Sequence, residues 1–302
     1  MTNSGNRLSG VLLAPLAPLY ALTLAYLMVH PPRRKPKAGD VLARWHQEHW
    51  PVRVHGGRVE LDLLVLPADP ARVVVVGHGI GLDKTWSLRH AAMLREAGYT
   101  VVLLDFRNHG RSGDDRSVTS FSRRFTDDVL AVVDRVRGDE RYHGAQLALF
   151  GFSFSTFPML YAVSRMTEPI AAIVCDSGPT LDVAAVVENF LLSGIVPVPG
   201  PLRARPAYSL LARSYGRLGA AVLDSPADWP PSVERAGSPP MLMLVGDRDT
   251  ITPVAAVEEM AARYPGARVE VVPGAVHLQG LRAGGPEYST AVLGFLERAM
   301  TG

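Results

Sequence analysis

Along most of the chain, short runs of aliphatic and β-branched residues alternate with longer stretches in which apolar residues recur every three or four positions. Val52–Val54 and Arg58–Leu66 flank Gly56-Gly57 with apolar residues at alternate positions, a pattern that predicts a hairpin. Continuous apolar runs at Arg72–Val76, Thr100–Leu104, Leu147–Phe150, Ile170–Cys175, Met241–Val245 and Ala267–Val272 predict buried strands. Between them, Lys84–Ala97 predicts a helix stopped by Gly98. Thr126 is placed to cap a helix whose stripe is Val129, Val132, Val133 and Val136, ending at Gly138. A helix should follow Ser153, with Pro158 in its early turns. Pro286 should open the last helix, with Tyr288, Val292, Phe295 and Leu296 on one face. Strands separated by helices imply an α/β fold built on a mainly parallel central sheet.

Two stretches depart from that alternation. From about residue 180 to 237 no strand is expected; Val183–Ile195 and Tyr208–Leu223 read as helices around a Pro/Gly-rich turn, Pro197–Pro201. This insertion lies between the sixth and seventh core strands. Its apolar content implies that it packs over something, as a lid lining a pocket. The other stretch is Val11–Val29, apolar except for Thr23 and the tyrosines at 20 and 26, with Pro15 and Pro18 near its start. A helix of that length approaches the hydrocarbon thickness of a bilayer, which makes a membrane anchor the leading reading. A secretory signal and a helix packed on the domain are the rivals. Arg33, Arg34, Lys35 and Lys37 follow the segment, so the positive-inside rule puts them, and the domain behind them, in the cytoplasm. The expected division is an N-terminal segment 1–30, a basic Pro-rich linker 31–40 and a domain 41–302.

Composition narrows the classes. With 47% hydrophobic and 20% charged residues over 302 positions, the chain can bury a large core and is not disordered. A net charge of +2 and scattered basic residues give no nucleic-acid footprint. The single cysteine, Cys175, sits in an apolar run and reads as a small buried hydrophobe. No Cys/His spacing or acidic loop points to a metal.

Chemistry gathers at the ends of the apolar runs. Leu147–Phe150 leads into Gly151-Phe152-Ser153-Phe154-Ser155, a Gly-x-Ser-x-small turn that would lift one hydroxyl above the sheet edge. Val73–Val76 ends in Gly77-His78-Gly79-Ile80-Gly81, Met241–Val245 in Gly246-Asp247-Arg248-Asp249, and Val269–Pro273 in Gly274-Ala275-Val276-His277. Open α/β sheets place ligands outside those strand ends. A serine hydroxyl needs a base to take its proton; His277 is the candidate base, and a carboxylate must orient it. Asp249 is the leading acid, with Asp176 and Asp247 as alternatives. Asp105, Arg107 and His109 read as residues that order the loop after their strand.

From about Val52 to the C-terminus the chain resembles the α/β-hydrolase superfamily. The resemblance rests on the chain order Ser153, Asp249, His277, on the His78-Gly79 turn, and on Asp105-Phe106-Arg107-Asn108-His109-Gly110-Arg111-Ser112-Gly113 after the fourth strand. The apolar N-terminus followed by His30-Pro31-Pro32-Arg33-Arg34 also resembles membrane-tethered bacterial members. Ser155 replaces the usual second glycine of the elbow. The resemblance implies a cap over 180–237 and a catalytic triad Ser153, Asp249, His277. It also implies an oxyanion hole from the backbone N–H groups of Phe154 and Ile80. His78, Gly79 and Phe152 are expected to border the substrate pocket. The implied activity is cofactor-free hydrolysis of a small-molecule carboxylic ester with an apolar acyl group. Thioester hydrolysis is the nearest alternative, and a non-hydrolytic lyase, cyclase or binding protein of the same fold is another.

Overall fold

The structure is a computed structural model that describes residues 11–33 and 40–301. Arg34, Lys35 and Lys37 of the expected linker lie outside the described residues. An eight-stranded sheet runs in the order β1-β2-β4-β3-β5-β6-β7-β8. β1 (Glu48–Val54) and β2 (Val59–Leu66) form the antiparallel hairpin, and β2 pairs antiparallel with β4 (Tyr99–Leu104). From β4 onward every pairing is parallel, through β3 (Asp69–Val76), β5 (Gln146–Phe152), β6 (Ala172–Asp176), β7 (Met241–Gly246) and β8 (Arg268–Val272).

Both faces of the sheet are covered, which is why its central strands carry continuous apolar runs such as Val73–Val76 and Leu147–Phe150. Val73 and Val75 enter one core, and Val74 and Val76 the other. The second core is roofed by α2 (Leu88–Glu96) and α8 (Gly280–Met300). α8 is broken at Gly285, whose φ of 46° lies in the left-handed region, and Pro286 restarts it. The first core takes α3 (Phe121–Arg137), α4 (Thr156–Arg165) and α7 (Val254–Ala261). Here one expectation is corrected. α3 begins at Phe121, and Thr126 lies inside it with its hydroxyl donating to the Ser122 carbonyl. Phe121 and Phe125 are buried two turns and one turn before the valine stripe, so the apolar face, not Thr126, sets the start.

Between β6 and β7 lie α5 (Val183–Leu192) and α6 (Ala207–Leu223), with no strand among the described residues of that stretch. α1 (Ala17–Val29), preceded by the turn Ala14–Leu16, packs along α6. Ala17, Ala21, Leu24, Ala25 and Met28 face inward at helical spacing, while Leu12, Leu16, Leu19, Leu22 and Tyr26 are exposed. Val11–Val29 is long and apolar enough to cross a membrane, with a mean hydropathy of 1.9.

Candidate active site

β5 delivers Ser153 into the sharpest turn of the sheet. Ser153 itself has φ 49°, a left-handed conformation that a non-glycine residue holds only under strain. Small neighbours make the turn possible. A Cβ on Gly151 would stand 2.9 Å from both Thr156 N and Cα, so the strand and the following helix meet only because that position is bare. Ser155 substitutes for a second glycine and locks the turn instead. Its Oγ accepts from Phe152 N at 2.7 Å and donates to Phe152 O at 3.1 Å. Phe154 opens the helical turn beyond Ser153, where free backbone N–H groups and the helix dipole favour negative charge.

The hydroxyl does not stand alone. His277 Nε2 lies 2.8 Å from Ser153 Oγ, and His277 Nδ1 lies 2.8 Å from Asp249 Oδ2. Ionised Asp249 can only accept, so Nδ1 carries the imidazole proton and Nε2 is left to accept from the serine O–H. Asp249 is held on both oxygens. Ile251 N and Thr252 N each donate to Oδ1 at 2.9 Å, and the Thr252 hydroxyl donates to Oδ2 at 2.8 Å. Burial pushes the Asp249 carboxyl up, but the bond and charge of His277 and the Thr252 donors outweigh it. The group therefore sits below the usual carboxylate range.

The two alternative acids are engaged elsewhere. Asp247 accepts from Gly274 N at 2.7 Å and ties the turn after β8. Asp176 accepts from Tyr288 Oη at 2.6 Å and from Ser177 Oγ at 2.8 Å, and burial raises its carboxyl pKa. Ser177 Oγ in turn accepts from Leu278 N at 3.0 Å, so Asp176 braces the turn that carries His277.

Ser153 opens into a narrow, mainly apolar cavity of about 60 Å³. Ile80 and Phe154 border it beside the serine, with Phe157, Val186, Phe190 and Leu223 forming apolar walls. His78, Gly79 and Phe152, expected to border the pocket, are not among the residues that line this cavity. His78 is buried, accepts from Phe106 N at 3.1 Å and donates to the Gly79 carbonyl at 2.8 Å. Burial lowers its pKa. Gly79 is covered by Leu82 and Leu278, and the Phe152 ring stacks on Phe150 in the opposite core. These residues shape the loops under the site. The residues that line the cavity in their place come from α5, α6 and, through Met28, α1. Thr252, beside the acid, carries no sequence signal beyond its proximity to Asp249.

The loop after β4 is rigid for electrostatic reasons. Arg107, 1% exposed, bonds Asp115 at 2.7 Å and Asp128 through two nitrogens. Asp105 accepts from Lys84 N at 2.7 Å and from Arg111 N at 2.9 Å. Buried His109 accepts from Gly81 N at 3.2 Å, and burial pushes its pKa down to about 3. It thereby joins that loop to the turn holding Ile80. Cys175 is buried, and burial pushes its thiol pKa up. Among the described residues no group of His, Cys, Asp or Glu could hold a metal ion.

The chain is similar to known proteins in sequence and fold. Residues 68–213 match the family model of the serine aminopeptidases S33, and residues 212–300 match that of the TAP-like proteins. The chain is 26% identical over 257 residues to a monoacylglycerol lipase of Mycolicibacterium smegmatis, covering 76% of this chain and 89% of the lipase. It is 25% identical over 113 residues to the uncharacterized protein YqkD of Bacillus subtilis; that match spans 37% of this chain and only 36% of the relative's length. The esterase Pf2001 of Pyrococcus furiosus superposes with a TM-score of 0.71 at 22% identity, covering 91% of this chain and 99% of the esterase. With a mostly parallel eight-stranded sheet, a serine on a strained strand-to-helix turn and two family models running end to end from residue 68 to 300, the chain belongs to the α/β-hydrolase superfamily.

Proposed function

We propose that this protein is a serine hydrolase that cleaves a carboxylic ester with an apolar acyl group through an acyl-enzyme. The observation that carries this reading is the unbroken run of 2.8 Å contacts from Ser153 through His277 to Asp249. His277 Nε2 takes the hydroxyl proton as Ser153 Oγ attacks the ester carbonyl, and Asp249 stabilises the imidazolium that forms. The backbone N–H groups of Phe154 and Ile80 would hold the oxyanion; losing one such donor costs about 3 kcal/mol of transition-state stabilisation. His277 then gives its proton to the departing alcohol. Water, deprotonated by the same imidazole, attacks the acyl carbonyl; the bond to Ser153 Oγ breaks, the imidazolium returns the proton to that oxygen, and the acid leaves.

The insertion 180–237 acts as a cap in this reading: α5 and α6 supply apolar walls for the acyl group. An ester is favoured over a thioester on a phosphorylated carrier by the neighbouring groove. That groove shares Val183, Val186 and Ile251 with the cavity and carries Asp182, Asn189 and Glu259. Among the described residues no lysine or arginine lines it, so phosphate groups would meet the acidic Asp182 and Glu259 there. A neutral alcohol suits it better.

The exposed side of the segment Val11–Val29 supports association with a membrane surface, since Leu12, Leu16, Leu19 and Leu22 are all exposed there. The domain would then lie on the cytoplasmic side, where the basic residues after the helix belong.

A panel of p-nitrophenyl esters, the matching acyl-thioesters and an aminoacyl-p-nitroanilide tests the reaction class. Ester turnover that exceeds thioester and anilide turnover supports the proposal. Thioester turnover that exceeds ester turnover at matched chain length overturns the ester reading.

A further inference from the structure

Met28 stands at a boundary that the outer helix alone does not explain. It lies in the last turn of α1, is 9% exposed, and lines the cavity into which Ser153 opens. Its route there passes over a gap in α6. Gly219 has no side chain; a Cβ at that position would stand 2.7 Å from Val187 Cγ1 and 3.4 Å from Met28 Cε. The bare position lets α1, α5 and α6 meet, and Val187 lines the same cavity. The end of the helix is also fixed in place. Asn108 Nδ2 donates to the Val29 carbonyl at 2.9 Å, and His30 Nε2 lies 2.9 Å from the Asp115 carbonyl. The Tyr20 hydroxyl donates to the Pro197 carbonyl at 2.9 Å, joining the helix to the turn between α5 and α6. The helix end that carries Met28 is thereby tied to the domain.

We propose that Met28 sets the acyl-chain limit of the cavity, so that the N-terminal helix is a specificity element and not a detachable tail. This inference rests on the ester-hydrolase reading. Methionine is suited to the position: it is unbranched, apolar and fills irregular space without a polar demand. Shortening it to alanine removes three heavy atoms from the wall and makes room for about two more methylenes of substrate. Each methylene newly buried is worth about fourfold in kcat/KM.

The experiment compares full-length wild type, Met28→Ala, Met28→Val and Met28→Trp on p-nitrophenyl esters from acetate to laurate. Thermal unfolding and labelling by a fluorophosphonate are measured on each protein. Met28→Ala should move the optimum about two carbons longer and raise kcat/KM on the longest esters about tenfold. Met28→Val should move it less, and Met28→Trp should move it to shorter chains. Each profile is read as the ratio of long-chain to acetate kcat/KM, which should rise in Met28→Ala and fall in Met28→Trp. Profiles that superpose on wild type, with acetate turnover and labelling intact, overturn the inference and leave the ester reading standing. A parallel fall on every chain length in the variants assigns Met28 to packing alone and also overturns it. Absence of both labelling and turnover in folded wild type overturns the ester reading itself.

Discussion

The Tyr288 hydroxyl donates to Asp176 Oδ2 at 2.6 Å, and this bond engages a buried carboxyl group at the end of β6. Asp176 holds Ser177, Ser177 holds Leu278 N, and His277 is the neighbour of that amide. Two acids therefore serve one histidine in different ways: Asp249 touches it, and Asp176 positions its turn. Asp249→Asn should lower kcat by roughly a thousandfold or more, because an amide can stabilise the wrong tautomer. Asp176→Asn should cost no more than about tenfold, since an amide oxygen still accepts from Tyr288. Steady-state kinetics on one ester, with circular dichroism to verify folding, separates the two. A larger loss in Asp176→Asn would reverse the assignment.

Gly151→Ala tests the elbow. The new Cβ would press on the backbone of Thr156, which cannot rotate away as a side chain could. We expect a stability loss of about 1–3 kcal/mol and a fall in kcat of more than tenfold as Ser153 shifts against His277. Thermal unfolding and ester turnover measure the two effects. A variant as stable and active as wild type would mean that the strand and helix are not held so closely.

The Asp115 ion network predicts a pH dependence. Burial pushes this carboxyl up, but donors from Ser117 and Arg107 and the charge of Arg124 outweigh it and hold the group well below the usual carboxylate range. A depressed folded-state pKa contributes stability that is complete above the unfolded value of about 4 and is lost as pH falls below it. Asp115→Asn should therefore be less stable than wild type by about 3 kcal/mol at pH 7. The gap should narrow steadily as pH falls from about 4. Chemical denaturation at several pH values reads it, and a gap that stays constant into acid would rule out Asp115 as its source.

The outer side of the turn Ala14–Leu16 and of α1 makes a separate prediction. Leu16 and Leu19 are 50% and 64% exposed and contribute little to the fold. Changing both to aspartate should reduce cosedimentation with anionic phospholipid vesicles by about tenfold or more. Turnover of a soluble ester should remain within about twofold. Wild type that stays in the supernatant would remove the membrane from the account.

Much of the site was legible because its chemistry is local. Ser153, Asp249 and His277 each follow a short apolar run, and a strand followed by a tight turn leaves a recognisable pattern of valine, leucine and glycine. The alternation of strands and helices was legible for the same reason, as were two helices between β6 and β7. The cavity wall was not. His78, Gly79 and Phe152 stand beside the elbow in sequence or in the neighbouring loop, yet they face other parts of the core. Met28, Phe190 and Leu223 converge from three helices remote in the chain. Which side chains border a cavity depends on how amphipathic helices dock, and periodicity gives a helix its face without naming its partner. The start of α3 was misplaced because Ser122, Arg123 and Arg124 separate Phe121 from Phe125 and dilute the apolar signal. The short α7, with only Val257, Met260 and Ala261 buried, went unrecognised between two stronger elements.

The central claim is that Ser153 is an activated nucleophile. Incubating the folded protein with a fluorophosphonate and locating the adduct by peptide mass spectrometry tests it directly. The account predicts one adduct, on Ser153, abolished in Ser153→Ala and strongly slowed in His277→Ala. A folded wild type that takes no label, or takes it on a different residue, would contradict the account.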